Sequence, residues 1–341
     1  MKKYFILIVL LFVTVNVHAS NLNFTEQVTG KTVRELAVYQ NYVFVAEGAE
    51  VGIYNTADKA NITKINTLSR RNYTVQKLFV KGDFLFVGYS QQMRIYNISD
   101  INNITVSGGY TYGAKDITAL YADDDYIYLS ASVVGFCILR IGNLDGSSTE
   151  CEEVYKNSAY KFSIINVSSN ILYASGVALG RLYILDISNK TNPLRLNYHE
   201  LKHLNNRQLF LSISGIAING NYVYITTNDQ QNPDSSYESN GIYIFNTADF
   251  NNPVFTRPRR LNSMARMSGI YIDDGYLYVN EQDNQQIRIY DLVNPEEPEA
   301  VAVVKTQSGN LFGAITKNIS GNYLYLADNQ AGWAIYELIK N

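Results

Sequence analysis

His199-Glu200-Leu201-Lys202-His203 reads H-E-x-x-H, the spacing that sets two histidines one helical turn apart to hold zinc, with the glutamate as general base. That chemistry needs a helix. The segment instead follows the Leu194/Leu196 alternation of a strand, no long amphipathic pattern surrounds it, and no later histidine supplies a third ligand. Glu238 or Asp234, on an inserted loop, would have to stand in. The expectation is no metal and no cofactor, with His199 and His203 the candidates should a metal bind.

Three further groups invite a chemical reading. The acidic run Asp123-Asp124-Asp125 suggests calcium, but it stands where a short hairpin turn is expected, and Asp is a turn residue in its own right. Arg257, Arg259, Arg260 and Arg266 cluster on one connection, where they either meet an anionic partner or form a solvated loop. Cys137 and Cys151 are the only two cysteines. In an exported chain, an even pair at hairpin distance favours a disulfide; the alternative is two buried thiols that never meet. No Ser/His/Asp set, phosphate loop or nucleotide signature is present.

Export is read from the first residues. Lys2-Lys3, an apolar run from Tyr4 to Val15, and Val17-His18-Ala19 form a signal peptide cut after Ala19, leaving 20–341 as one domain. The apolar run is too short to span a membrane comfortably. Removing Lys2 and Lys3 leaves 26 basic against 31 acidic residues, a balance that argues against nucleic acid as a partner. Eight N-x-S/T sequons, such as Asn72-Tyr73-Thr74, matter only in a host that glycosylates.

The elements that would position these residues repeat. Tyr42-Val43-Phe44-Val45, Phe84-Leu85-Phe86-Val87, Tyr126-Ile127-Tyr128-Leu129, Ile171-Leu172-Tyr173-Ala174, Tyr222-Val223-Tyr224-Ile225, Tyr276-Leu277-Tyr278-Val279 and Tyr323-Leu324-Tyr325-Leu326 start 42, 42, 45, 51, 54 and 47 residues apart. A period in the forties with short strands predicts an all-β, seven-bladed β-propeller with four-stranded antiparallel blades. In each unit an inner strand a precedes this strand b through a tight Asn/Asp/Gly turn, and strands c and d follow. Both faces of strand b are apolar, as a blade packed between two neighbours requires. The last unit ends too early for its own strand d, and Leu22–Val28 is expected to supply it and close the ring.

Loop lengths are one-sided. From strand b to strand c the distance is 11 residues between Tyr42 and Ile53 but 22 between Tyr222 and Ile244; from strand d to the next strand a it is 16 between Ile62 and Leu78 but 23 between Pro193 and Ile216. Both connections emerge on one face, the usual place for function on a rigid ring. Tyr198, Arg207, Tyr237, Arg257, Arg259 and Arg260 lie on or beside the elaborated loops of blades four to six and are the candidate partner-binding residues. Arg34, Gln76, Thr118, Ser163, Ser214 and Ser268, each two positions before the apolar pair of strand a, are expected to ring the channel mouth on that face, holding a small ligand or water.

The segments Leu185-Asp186-Ile187-Ser188-Asn189-Lys190-Thr191-Asn192-Pro193, Phe245 to Pro253 and Tyr290 to Pro298 resemble the LVIVD-repeat family. Units one and two keep the spacing without the proline; unit three departs, with Arg140 where an acidic or amide residue belongs and a longer turn after it. The resemblance implies an exported β-propeller and no catalytic residues. The reading that results is a non-enzymatic binding scaffold, outside the cell or in the envelope, presenting blades four to six to a protein or glycan. The rivals are an enzyme on the same face, either a metal hydrolase using His199 and His203 or a ring-centred site at Arg34, and a structural role in an envelope layer.

Overall fold

The computed structural model describes residues 20–30, 32–33, 35–113, 116–142, 144, 149–176, 180–201, 211–228, 240–249, 254–259, 265–306, 315–317, 322–328 and 332–340. They form seven sheets. Strands a to d are Leu36–Tyr39, Tyr42–Glu47, Glu50–Asn55 and Thr63–Ser69 in blade one. They are Val75–Lys81, Phe84–Tyr89, Gln92–Asn97 and Thr105–Thr111 in blade two. Blade three has Ile117–Ala122, Tyr126–Ala131, Gly135–Arg140 and Glu152–Asn157. Blade four has Phe162–Ser168, Ile171–Gly176, Arg181–Asp186 and Leu194–Glu200. Blade five has Ile213–Asn219, Tyr222–Thr227, Ile242–Asn246 and Val254–Arg259. Blade six has Met267–Asp273, Tyr276–Glu281, Gln286–Asp291 and Glu299–Lys305. Blade seven contributes Ile315–Lys317, Tyr323–Ala327 and Trp333–Lys340, and its strand d is the N-terminal Ser20–Val28.

The antiparallel register of that last pair runs from Ser20 opposite Lys340 to Val28 opposite Trp333. Ser20–Val28 and Trp333–Lys340 are thus locked into one sheet, which covers the outer edge of Trp333–Lys340. The core follows the same plan. Seven apolar clusters each join one blade to the next, the last uniting Val43 and Val45 of blade one with Tyr325, Trp333 and Ile335 of blade seven. Strand b is the centre of each blade, which explains its two apolar faces: Val43, Phe44 and Val45 are all fully buried.

Local chemistry explains the repeat's polar letters. Asp274 and Gly275 both have positive φ, 48° and 80°, the pair that a two-residue hairpin matched to strand twist demands. At the end of strand c, the side chains of Asn55, Asn97, Asp186, Asn246 and Asp291 each accept from the backbone N–H two residues on, an Asx turn that starts the c–d connection. In six blades the residue after strand c also donates its N–H to a carbonyl at the a–b turn, as Ile98 does to Asp83 at 2.8 Å, and in blade seven Leu338, within the longer strand c, does the same to Asn322.

Blade three breaks this pattern for a physical reason. Arg140 carries no acceptor, so no Asx turn forms there, and its guanidinium pairs with Glu152 at 2.9 Å. The chain then crosses to blade two, where Thr149–Glu150 adds a short parallel strand against Gly108 and Gly109, and Cys151 donates its N–H to Gly109. The disulfide expected between Cys137 and Cys151 is not made: both are buried free thiols. Cys137 faces Lys156 in the ladder, whereas Cys151 lies beyond Arg140–Glu152, where the pairing ends. At least four residues of rise, about 13 Å, separate them along the ladder, more than the roughly 7 Å between Cα atoms that a bridge tolerates.

Candidate functional site

Strand a enters each of five blades with an irregularity. The a–b register shifts between Val75 and Lys77, Ile117 and Ala119, Phe162 and Ile164, Ile213 and Gly215, and Met267 and Gly269. Gln76, Thr118, Ser163, Ser214 and Ser268, five of the six residues expected at the channel mouth, are the extra residues of these bulges. A bulge turns its residue out of the regular pleat and is common at rims. Several of the side chains are spoken for. Thr118 donates to Ser130 O at 3.2 Å and across the blade boundary to Phe162 O. Ser163 Oγ lies 2.6 Å from Ser175 Oγ, Ser214 donates to Thr226 at 3.1 Å, and Gln76 Nε2 donates to Thr74 at 2.7 Å. Arg34 lies outside the described residues.

Along the channel a cavity of about 300 Å³ is lined by the inner strands of blades two to four, including Tyr121, Ser163 and Asn166, and by Glu35 just before blade one. Lys77 and Glu35 pair across it at 3.3 Å, and Asn166 Nδ2 donates to Ile216 O at 3.3 Å. On the opposite face, Tyr39, Lys81, Asp83 and Asp124 line a second recess. There Asp123 behaves as a turn residue: it accepts from the N–H groups of Asp125 and Tyr126 and from Tyr128 OH at 2.7 Å.

His199 and Glu200 are consecutive residues of strand d in blade four, so they project from opposite faces. His199 packs on Phe245 of blade five, ring centroids 5.2 Å apart. Its Nε2 is buried without a partner among the described residues, and burial holds its pKa below the usual histidine value. Glu200 accepts two bonds from Arg181, at 2.8 and 3.0 Å. The helical, same-face geometry that H-E-x-x-H chemistry requires is absent from this pair. His203 lies outside the described residues, among which no group of three or more His, Cys, Asp or Glu side chains is placed to hold a metal.

The neighbouring residue presents a different surface. Tyr198 is 43% exposed and stacks on Tyr183, with centroids 6.1 Å apart and planes at 29°. Tyr183 meets Tyr160 edge-on at 5.7 Å. The guanidinium carbons of Arg181 and Arg195 stand 5.6 and 5.3 Å from the Tyr198 centroid. This aromatic platform with two cations sits on the outer strands of blade four, beside the loop that leads to blade five. Of the other candidate partner residues, Arg257 and Arg259 are on strand d of blade five; Arg207, Tyr237 and Arg260 lie outside the described residues.

Sequence reasoning missed the tips of strand b. Two residues beyond the recurring four-residue phrase stand Glu47, Tyr89, Glu281 and Asp328, all buried. Glu47 accepts from Tyr54 OH and pairs with Lys64 at 2.7 Å. Glu281 holds Arg288 at 2.5 Å and also accepts from Gln286 and Asn284. Asp328 Oδ1 has no partner among the described residues, and burial pushes its pKa up to about 7. Reading each aromatic phrase two residues further would have exposed these polar groups where the strand pattern asks for apolar ones.

The comparisons agree with this architecture. The LVIVD repeat model matches residues 30–56, 164–198, 212–231 and 317–335, which fall in blades one, four, five and seven. No curated protein matches the sequence. The chain is similar in fold to the crystal structure of the computationally designed Ika8 protein, with a TM-score of 0.60 over 92% of this chain and 98% of that one, at 11% identity. That likeness speaks to fold alone. The chain thus carries LVIVD repeats in four regions, on a seven-bladed ring closed by the N-terminal strand.

Proposed function

We propose that the protein is an exported, non-enzymatic binding scaffold that presents blades four to six to a protein or glycan outside the cell or in the envelope. The observation that carries this reading is the Tyr198 platform. A half-exposed tyrosine, stacked on a second ring and flanked by Arg181 and Arg195, offers a rigid apolar face with cations at its rim. Aromatic and arginine side chains of this kind anchor interfaces, and a flat ring equally suits the apolar face of a sugar. The platform borders the longest d–a connection of the ring, between Pro193 and Ile216. Export rests on the leader from Lys2 to Ala19; strand Ser20–Val28 begins after the expected cut, so cleavage there keeps the closing strand whole.

The test is capture from the native envelope and a glycan array, using the mature chain and Tyr198→Ala. Retention of a protein or glycan by the wild type, weakened at least tenfold in the variant, supports the reading. Equal retention by both moves the partner elsewhere. Stoichiometric zinc that disappears in the His199→Ala/His203→Ala double variant replaces the scaffold with a metal hydrolase.

A further inference from the structure

Three buried hydrogen-bond donors gather between blades one and two without an acceptor among the described residues: Arg70 Nε, Gln92 Nε2 and Arg94 Nε. Arg70 follows strand d of blade one. Gln92 and Arg94 are two residues apart on strand c of blade two and so share a face. That face carries Tyr96 into the apolar cluster joining the two blades, together with Tyr89. Tyr89 is the cross-strand partner of Gln92, and both guanidinium groups act electrostatically on its hydroxyl. All four residues lie at the ends of strands b, c and d that open onto the elaborated face.

The acceptors already present are neutral and engaged. Tyr89 OH lies 3.1 Å from Tyr96 OH, and the carbonyls of Tyr89 and Gln92 accept from Tyr112 OH. Blade six shows the same arrangement completed. Gln286 and Arg288 occupy the positions of Gln92 and Arg94, and both donate to Glu281. In blade two the place of Glu281 is taken by Tyr89, and neither Arg70 nor Arg94 has a carboxylate partner among the described residues. Two guanidinium groups near one another without a counter-charge are costly, because each is partly stripped of water. A neutral ligand would leave that charge standing, and a cation would add to it.

We propose that this cluster of donors binds an oxyanion, the carboxylate, sulfate or phosphate group of a ligand, held by Arg70, Gln92 and Arg94. Several oxygens carrying negative charge satisfy all three donors at once, and guanidinium groups match such anions in a planar fork. The site is separate from the blade-four platform and stands or falls independently of it.

The experiment titrates inorganic sulfate, inorganic phosphate and acetate into the mature chain by calorimetry, at ionic strength held constant with chloride. At least one of the three is expected to bind at one per chain. Arg70→Gln and Arg94→Met should each weaken it at least tenfold, while Arg140→Gln, which alters an exposed pair on the other face, should not. Should Arg94→Met fail to fold, Arg70→Gln decides alone. Binding of acetate points to a carboxylate ligand, and binding of the tetrahedral anions alone to a sulfated or phosphorylated one. Absence of binding by all three, or affinity unchanged in Arg70→Gln, overturns the proposal.

Discussion

Phe24 of the first strand meets Tyr336 of the last edge-to-face, ring centroids 5.8 Å apart at 70°. The two residues are also opposite one another in the ladder that closes the ring. Edge-to-face pairs contribute about 0.5–1.5 kcal/mol beyond the area they bury. Phe24→Ala is therefore expected to lower unfolding free energy by about 1–2 kcal/mol in urea titration. Deleting residues 20–28 should do far more, because it bares the whole edge of Trp333–Lys340. That truncated chain is expected to elute as oligomers in size-exclusion chromatography; a stable monomer would show that closure is dispensable.

Glu281 is fully buried and holds Arg288 at 2.5 Å. Burial alone would raise its pKa, but the hydrogen bonds from Arg288, Asn284 and Gln286 outweigh it and leave the carboxyl below the usual glutamate value. A depressed folded-state pKa stabilises the protein above the unfolded value, about 4.3, and that contribution fades as pH falls through the folded one. Glu281→Ala strands the Arg288 charge and is expected to cost about 3–5 kcal/mol at pH 7. The deficit relative to wild type should shrink as pH is lowered below 4, which urea unfolding across that range measures.

Asp328 has the opposite sign. With its pKa pushed up to about 7 by burial, the folded protein binds a proton that the unfolded chain releases near pH 4. Stability therefore falls as pH rises from about 4 to 7, by up to about 1.4 kcal/mol per unit. Asp328→Asn removes this dependence. The variant is expected to match wild type near pH 4 and to melt higher at pH 8. Equal melting temperatures at pH 8 would place the carboxylate in contact with water or a cation.

The contrast between these two acids marks what the sequence makes legible. Blade number, strand order and ring closure could be read because the aromatic phrase repeats and both its faces are apolar, a requirement of burial that acts on every copy. The Asx turns of Asn55, Asn97, Asp186, Asn246 and Asp291 were visible as a recurring letter, although their hydrogen bonds were not. The bulges at Gln76, Thr118, Ser163, Ser214 and Ser268 were hidden, since an extra residue in a ladder depends on pairing across strands and leaves no fixed residue type. The buried tips Glu281 and Asp328 were hidden for a different reason. They stand two residues past the aromatic phrase, where the residue type differs from copy to copy, and what each one meets, such as Arg288 for Glu281, is set by the neighbouring strand. The Cys137–Cys151 expectation failed on register, which hairpin distance in sequence does not specify once a connection is lengthened.

The cysteines provide the last prediction. Burial first of all raises the Cys137 thiol to about 12 and the Cys151 thiol to about 11, so at pH 8 only about one part in 10⁴ and one in 10³ respectively is the reactive thiolate. Native protein should thus resist iodoacetamide, while the same protein unfolded in urea without reductant should gain two carbamidomethyl groups in intact-mass analysis. Rapid modification of one thiol in the native state would mean that the crossing from blade three to blade two opens in solution. Two masses short after unfolding would mean a bridge, and hence a register unlike that of Arg140 opposite Glu152. Cys137 sits fully buried in the cluster between blades two and three, so Cys137→Ser, which places a hydroxyl there, is expected to cost about 1–3 kcal/mol. Cys137→Ala should cost less, because it leaves no polar atom to satisfy. A serine variant as stable as alanine would show that the site admits water.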